Sequence, residues 1–344
     1  MAMQSSKPPP SSGRVLVTGG AGFIGSALVW ALNQRGNHDV IIADRLGSDA
    51  KWRNLVPLRF HDYLDGLDLV ETLRRRPQAL GRIDLVLHLG ACSATTETDC
   101  DYLMRNNVGY SRDLAAWALR HGARFVYASS AATYGDGVHG MDDGDPAIER
   151  LRPLNMYGYS KQLFDLMARD RGWFDHIVGL KYFNVFGPNE DHKDDMRSVV
   201  HKAFHQIREQ GEVTLFRSHR PDFKDGEQQR DFLYVKDAVD MTLHLADHTR
   251  ANGLFNLGAG VARTWLDLAR AIFDALGLEP NIRFIDMPAA LRDKYQYHTC
   301  AELNRLRGTG YPHEITSLEA AVRDYVTGYL AHDRRLGDET GGQL

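Results

Sequence analysis

The chain is poor in several things, and each shortage excludes something. Cysteine is scarce: Cys92, Cys100 and Cys300 are the only three in 344 residues, and no two are spaced as a zinc or redox pair. A disulfide scaffold is excluded, and free thiols suit a reducing cytosol, so a cytoplasmic protein is expected. Positive charge is not in excess. The 41 Lys and Arg stand against 45 Asp and Glu, a net charge of −4, and no nucleic-acid partner is expected. The longest uncharged run, which takes in Val15 to Leu32, carries Gly19, Gly20, Gly22 and Gly25 and has no second span after it. It reads as a buried strand, a glycine turn and a helix rather than a membrane span. No apolar core precedes those glycines, so no signal peptide is expected. The fifteen histidines show no metal-ligand set; His201 and His205 lie four apart without a third ligand and read as surface. No metal is expected.

What is present is ordinary globular composition, 43% hydrophobic and 25% charged. From Arg14 to about Gly187, short apolar runs (RVLVT, DVIIAD, RIDLVLHL, RFVYASS, HIVGLKYF) alternate with helix-length segments. This pattern predicts an α/β fold with a doubly wound parallel sheet, and the family resemblance given below implies that it is Rossmann-like with a smaller α/β substrate-binding lobe. Residues 14–183 are expected to form the dinucleotide-binding domain, with a return segment at about 231–258. Residues 184–230 and 259–332 would form the smaller lobe. The proline-rich stretch predicts a disordered tail over 1–13, and 333–344 reads as a polar tail.

Gly19, Gly22 and Gly25 are spaced GxxGxxG where the first strand becomes the first helix. Such glycines allow a tight turn, close approach to a pyrophosphate and close helix–strand packing. Asp44 ends the next strand about twenty residues on, where a carboxylate meets the adenosine ribose. Arg45 follows it, and Lys51 and Arg53 are near, so the pattern accommodates NAD or NADP. Asp62, after the third strand-like segment, is a candidate for the adenine. Further on, Tyr157 and Lys161 in Y-G-Y-S-K share one helix face. A neighbouring ammonium favours the phenolate. The strand FVYASS offers Ser129 and Ser130 for a reacting hydroxyl. His88, at a strand end, reads as buried structure, and Cys92 as a small packing residue.

TGGAGFIG, SSAATYG and YGYSK resemble the extended short-chain dehydrogenase/reductase family over about Arg14 to Tyr329. The resemblance maps a triad onto Ser130, Tyr157 and Lys161; Tyr159 lacks the four-residue spacing. HLGACSATTETD, YFNVFGPNEDHK, RDFLYVKD and KYQYHT resemble, more narrowly, the ADP-glyceromanno-heptose 6-epimerases, which supply a heptose for the lipopolysaccharide inner core. That resemblance implies oxidation and re-reduction at C6 of a nucleotide-sugar substrate, with tightly bound NADP, or NAD as the alternative. Tyr157 would serve one face and Lys193 the other, although Lys193 in DHKDD otherwise reads as a solvated loop residue.

Further roles are implied by the same resemblance. Phe23 and Ile24 would line the pyrophosphate. Leu89, Gly90, Ala91, Cys92 and Ser93 would run beside the cofactor, with Ser93 also on the sugar. Asn106 would bind the cofactor, Lys161 the nicotinamide ribose, and Asn184 and Val185 would lie where substrate and nicotinamide meet. Phe216, Arg217, Ser218 and His219 would hold the ADP part, Arg230 a phosphate, and Tyr295 would close over the sugar. The bland alternative for Arg230 is a surface ion pair with Asp231. Asp195 stands at an expected substrate contact where an acidic side chain is odd, and either His201 or Lys202 is expected to face the ligand. The insertion Pro221–Gln229 reads as a lid or a loop. Competing readings are a UDP-sugar 4-epimerase, a dehydratase (disfavoured by Ala131 and Ala132 after Ser130) and a non-catalytic dinucleotide sensor. A homo-oligomer without a membrane partner is expected.

Overall fold

In the computed structural model the described residues are 8–338 apart from 145, 147, 293 and 294, with the side chains of 290 and 291 also left aside. The parts of the two expected tails at 1–7 and 339–344 lie outside the described residues.

Seven short strands make the central sheet: β1 (Val15–Thr18), β2 (Val40–Asp44), β3 (Asp62–Asp65), β4 (Leu85–His88), β5 (Arg124–Ser130), β6 (Ile177–Tyr182) and β10 (Gly253–Leu257). All neighbouring pairs are parallel, in the order β10-β6-β5-β4-β1-β2-β3. Parallel strands covered on both faces must be apolar nearly throughout, and every residue of β1, β2, β4 and β6 is buried. Successive residues serve opposite faces. Val15, Val17, Val40 and Ile42 join the core under the helices Phe23–Gln34 and Val235–Asp247. Leu16, Ile41, Val86 and Phe125 join the core under Gly66–Arg75, Tyr110–His121 and Met156–Asp170. Truncating one of these, such as Leu16→Ala, costs about 2–5 kcal/mol.

Strand order reverses between β1 and β4, and their chains leave in opposite directions. The crevice this opens, at the C-terminal strand ends, is where such sheets bind ligands. After β6 the chain leaves the sheet. β7 (Asn184–Phe186) pairs with β9 (Gln229–Tyr234), which pairs with β11 (Ala262–Thr264); β8 (Val213–Phe216) pairs with β12 (Ile282–Ile285). The helices Val199–Gln210 and Trp265–Leu276 pack together beside them. The DFLYV run therefore belongs to a small sheet, while β10 returns to the large one. Among the described residues no helix is long and apolar enough to cross a membrane.

Both expected tails are corrected at their inner ends. Pro10–Ser12 forms a turn, and the Ser11 N–H and hydroxyl donate to Asp247 at 2.9 and 2.7 Å. At the other end Leu336 is fully buried and its N–H donates to Asn189 Oδ1 at 2.9 Å. Polar composition hid both contacts because each depends on one residue docking on a distant segment.

Candidate active site

The site begins at the turn out of β1. Gly19 has φ +68°, and a Cβ there would lie 2.7 Å from the Gly90 nitrogen; a Cβ on Gly25 would lie 2.0 Å from the Gly19 carbonyl oxygen. Glycine alone fits both places. Gly22 caps the helix Phe23–Gln34 without a capping side chain, which leaves the positive end of that helix open to an anion. At the end of β2, Asp44 accepts the Ala21 N–H at 2.8 Å and the Lys51 ammonium at 3.1 Å. Lys51 is thus drawn onto the crevice wall, whereas Arg45, next to Asp44 in the chain, is exposed and does not line the cavity. These residues fit a nicotinamide dinucleotide: a cradle for its pyrophosphate and a carboxylate for its ribose.

Asp62 is corrected. It opens β3 opposite Ile41, whereas Asp65 stands opposite Asp44 at the crevice end. The third strand starts at Asp62 instead of ending before it, so Asp62 is exposed and outside the cavity.

Leu89, Gly90, Ala91 and Ser93 line the crevice after β4. The loop is pinned through Cys92, whose N–H donates to Asn107 Oδ1 at 2.9 Å, while Asn107 Nδ2 donates to the Cys92 carbonyl and to Ser160 Oγ, both at 3.0 Å. Neighbouring Asn106 donates to Asn107 at 3.3 Å and does not line the cavity. Nothing in the NN pair distinguishes the two in sequence. His88 is a buried strut between Thr18 and Ser111, kept neutral because burial and the Lys161 charge lower its pKa to about 3.

A cavity of about 550 Å³ continues from the glycine turn to the ends of β5 and β6. Asn155 caps the helix Met156–Asp170 by accepting the Gly158 N–H at 2.9 Å, which sets where Tyr157 starts. Tyr157, Lys161 and Ser130 all line the cavity, whereas Tyr159 is exposed. The two serines separate: Ser129 donates to buried Asp165 at 2.7 Å, and Ser130 is hydrogen-bonded to Tyr157. Burial raises the Tyr157 pKa, and the Ser130 bond opposes that. The Lys161 ammonium donates to the Ala128 carbonyl at 2.8 Å and lies 6.0 Å from the Tyr157 ring centre. Burial lowers its pKa to about 8.

Lys193 enters the same cavity from the turn Asp191–Met196. Its ammonium sits 5.2 Å from the Phe23 ring centre, and burial lowers its pKa. The solvated reading suggested by DHKDD does not describe it. Asn184 and Val185 also line the cavity, as do two residues given no role from the sequence, His192 within the YFNVFGPNEDHK motif and Arg197 just after it. Asp195 and Lys202 are corrected: both are exposed and off the cavity, and the Lys202 ammonium donates to the Asp195 carbonyl. His201 is likewise no surface residue; it is buried and paired with Asp191 at 3.2 Å.

Phe216, Arg217, Ser218, His219, Arg230 and Tyr295 lie outside the cavity walls, but Trp265, which lines the cavity, lies beside Arg230 and donates to the Tyr295 hydroxyl at 2.8 Å. The buried Arg230 guanidinium lies 5.7 Å from the Trp265 ring and 4.9 Å from the Tyr295 ring. Among the described residues it makes one hydrogen bond, to the Gln229 carbonyl at 2.8 Å, and no carboxylate pairs with it. The ion pair with Asp231 does not form. Asp231 points the other way, accepting the N–H groups of Gly260 and Ala301 at 3.0 and 2.9 Å. His219 N–H donates to the Tyr297 hydroxyl at 2.9 Å, so that segment is held on the Tyr295–Tyr297 stretch. Within the insertion, buried Gln228 donates to the Phe216 carbonyl at 3.2 Å, which docks that end of the loop.

A dinucleotide crevice running into a Ser–Tyr–Lys cluster defines a short-chain dehydrogenase/reductase fold. The family model described as the NAD dependent epimerase/dehydratase family matches residues 15–258. The ADP-L-glycero-D-manno-heptose-6-epimerase of Nitratidesulfovibrio vulgaris (strain DP4) is 53% identical over 316 residues, 92% of this chain and 98% of its own. Among solved structures, the Helicobacter pylori ADP-L-glycero-D-manno-heptose-6-epimerase superposes with a TM-score of 0.77 at 26% identity, covering 94% of this chain and 98% of its own. The Thermus thermophilus UDP-glucose 4-epimerase, in complex with NAD, gives 0.73 at 25% identity, covering 93% of this chain and 100% of its own. The chain belongs to the NAD dependent epimerase/dehydratase family, among its ADP-L-glycero-D-manno-heptose-6-epimerases.

Proposed function

We propose that the protein interconverts the C6 epimers of ADP-glycero-manno-heptose. One observation carries the reading: Tyr157 and Lys193 line one cavity but come from helices and turns on opposite faces of the sheet. Phe164, on the helix of Tyr157, packs in one core; Phe23, under Lys193, packs in the other. A carbon that must lose and regain hydride on two faces needs two proton-handling groups. Tyr157, hydrogen-bonded to Ser130 and beside Lys161, takes the hydroxyl proton in one orientation; Lys193, with its pKa lowered by burial, takes it in the other. A bound nicotinamide dinucleotide supplies what these side chains lack, acceptance and return of the hydride. Arg230, buried with no carboxylate paired to it among the described residues, holds the diphosphate.

Lys51 beside Asp44, with Arg45 next to it, supports NADP over NAD, retained between turnovers. Lys51→Ala should then lower the preference for NADP in a binding titration. The same reading makes the protein a cytoplasmic homo-oligomer, which light scattering checks. The direct test is incubation with ADP-D-glycero-D-manno-heptose without added cofactor, following C6 by NMR. A mixture of epimers is expected. No conversion, even with NADP or NAD added, sinks the heptose reading, and conversion of UDP-sugars instead makes it a 4-epimerase.

A further inference from the structure

Lys193 makes no ion pair with a carboxylate among the described residues, so the backbone of its turn sets its position. That turn is fastened from three directions at one buried point. Asn189 is fully buried at φ +79°, a conformation that asparagine tolerates better than most residues. Its Nδ2 donates to Ser26 Oγ at 3.0 Å, in the helix of the glycine turn. Its Oδ1 accepts the Leu336 N–H at 2.9 Å, from the C-terminal segment. Its carbonyl accepts Asn54 Nδ2 at 3.0 Å, and the same amide donates to the Ala21 carbonyl at 3.0 Å, inside the glycine turn. Asn54 itself is 2% exposed and lies 3.4 Å from His192 Nδ1. The next two residues complete the fastening. Buried Glu190 accepts the Ser198 N–H and hydroxyl, and Asp191 faces Arg335 at 3.5 Å.

We propose that Asn189 and Asn54 are positioning residues that lock the Lys193 turn onto the dinucleotide-binding turn, with Leu336 of the C-terminal segment closing the lock. The catalytic part of this rests on the proposed role of Lys193; the positional part does not. Proton transfer demands sub-ångström placement, and a misplacement of about 1 Å can cost about a hundredfold in rate. A lysine anchored through its turn, with the Phe23 ring against its ammonium but no carboxylate paired to it among the described residues, is exposed to that loss, and the lock ties its position to the same turn that cradles the pyrophosphate.

The test uses the full chain with its retained dinucleotide. Asn189→Gly keeps the left-handed backbone and removes both side-chain bonds; Asn54→Ala removes the tie to Ala21 and serves if the first variant does not fold. Two readouts are taken. The first is the rate at which each lysine is acetylated by a small amine reagent, resolved by peptide mass spectrometry. Either variant should raise the rate at Lys193 at least fivefold and leave buried Lys161 within twofold. The second is epimerisation, where kcat should fall tenfold or more with KM changed less than threefold. An equal rise at both lysines, which is general loosening, overturns the proposal, as does no rise at Lys193. A selective rise at Lys193 with kcat unchanged supports the lock and overturns the proton-handling role of Lys193. Loss of activity in Lys193→Met, with Asn189→Gly and Asn54→Ala both unaffected in both readouts, overturns the lock alone.

Discussion

Replacing Lys161 by methionine should make the protein more stable at neutral pH while abolishing catalysis. Lys161 is buried, and its pKa falls from 10.5 to about 8 because burial penalises the ammonium. A difference of about 2.5 pKa units corresponds to about 3 kcal/mol held against the folded state at neutral pH. Methionine removes that penalty at similar volume. It also removes the hydrogen bond to the Ala128 carbonyl, which costs about 1 kcal/mol. The net expectation is about 2 kcal/mol of added stability, a rise of a few degrees in Tm. The pH dependence gives the sharper check. Below pH 8 both folded and unfolded protein hold the proton, and the penalty is present in full. Between pH 8 and 10.5 the folded protein has released it while the unfolded chain has not, so the wild type gains stability as pH rises. The advantage of the variant should close across that window and then reverse by the lost hydrogen bond. Thermal unfolding of cofactor-stripped wild type and Lys161→Met from pH 7 to 10, with activity assayed in parallel, measures all of this. A variant less stable than wild type at pH 7, or a stability difference flat from pH 7 to 10, would refute the reasoning; so would a variant that keeps more than about a tenth of its epimerase activity, given what positioned proton-transfer groups contribute.

Gly25→Ala places a methyl 2.0 Å from the Gly19 carbonyl oxygen, so the glycine turn must open; the purified variant should lose its retained dinucleotide, read from the ratio of absorbance at 260 and 280 nm. Arg230→Met should fold normally and raise KM for the nucleotide-sugar about ten- to a hundredfold, the worth of a charge-assisted pair with a phosphate. Arg230→Lys should recover only part of that, because a point charge cannot repeat the planar fork. Asp231→Ala leaves the buried N–H groups of Ala259, Gly260 and Ala301 without an acceptor and should lower stability by about 3–5 kcal/mol, visible as a drop in the urea midpoint.

What could be read in the sequence was what neighbours in the chain decide. The strand, glycine turn and helix over Val15–Gln34 are contiguous, and one run of residues sets their geometry. Tyr157 and Lys161 lie one helical turn apart, so spacing alone puts them on one face. Arg230 and Asp231 show a partly legible case. Adjacency suggested an ion pair, yet both sit in β9, where successive side chains point to opposite faces. Recognising the strand was enough to break the pair and free Arg230 for Trp265 and Tyr295. The Lys193 turn was not legible in that way. DHKDD has a solvated composition, and its lysine enters the cavity only because Asn189 and Glu190 bind Ser26, Leu336 and Ser198. Ser26 and Leu336 are each more than 140 positions from Asn189, beyond any local periodicity. Asp62 failed for a related reason, since which end of β3 meets the crevice is set by its register on β2. Side chains held by their own helix or strand thus announce their chemistry in spacing, while a side chain carried on a turn depends on whatever fastens the turn, and those fastenings are where loss of function without loss of fold should be sought.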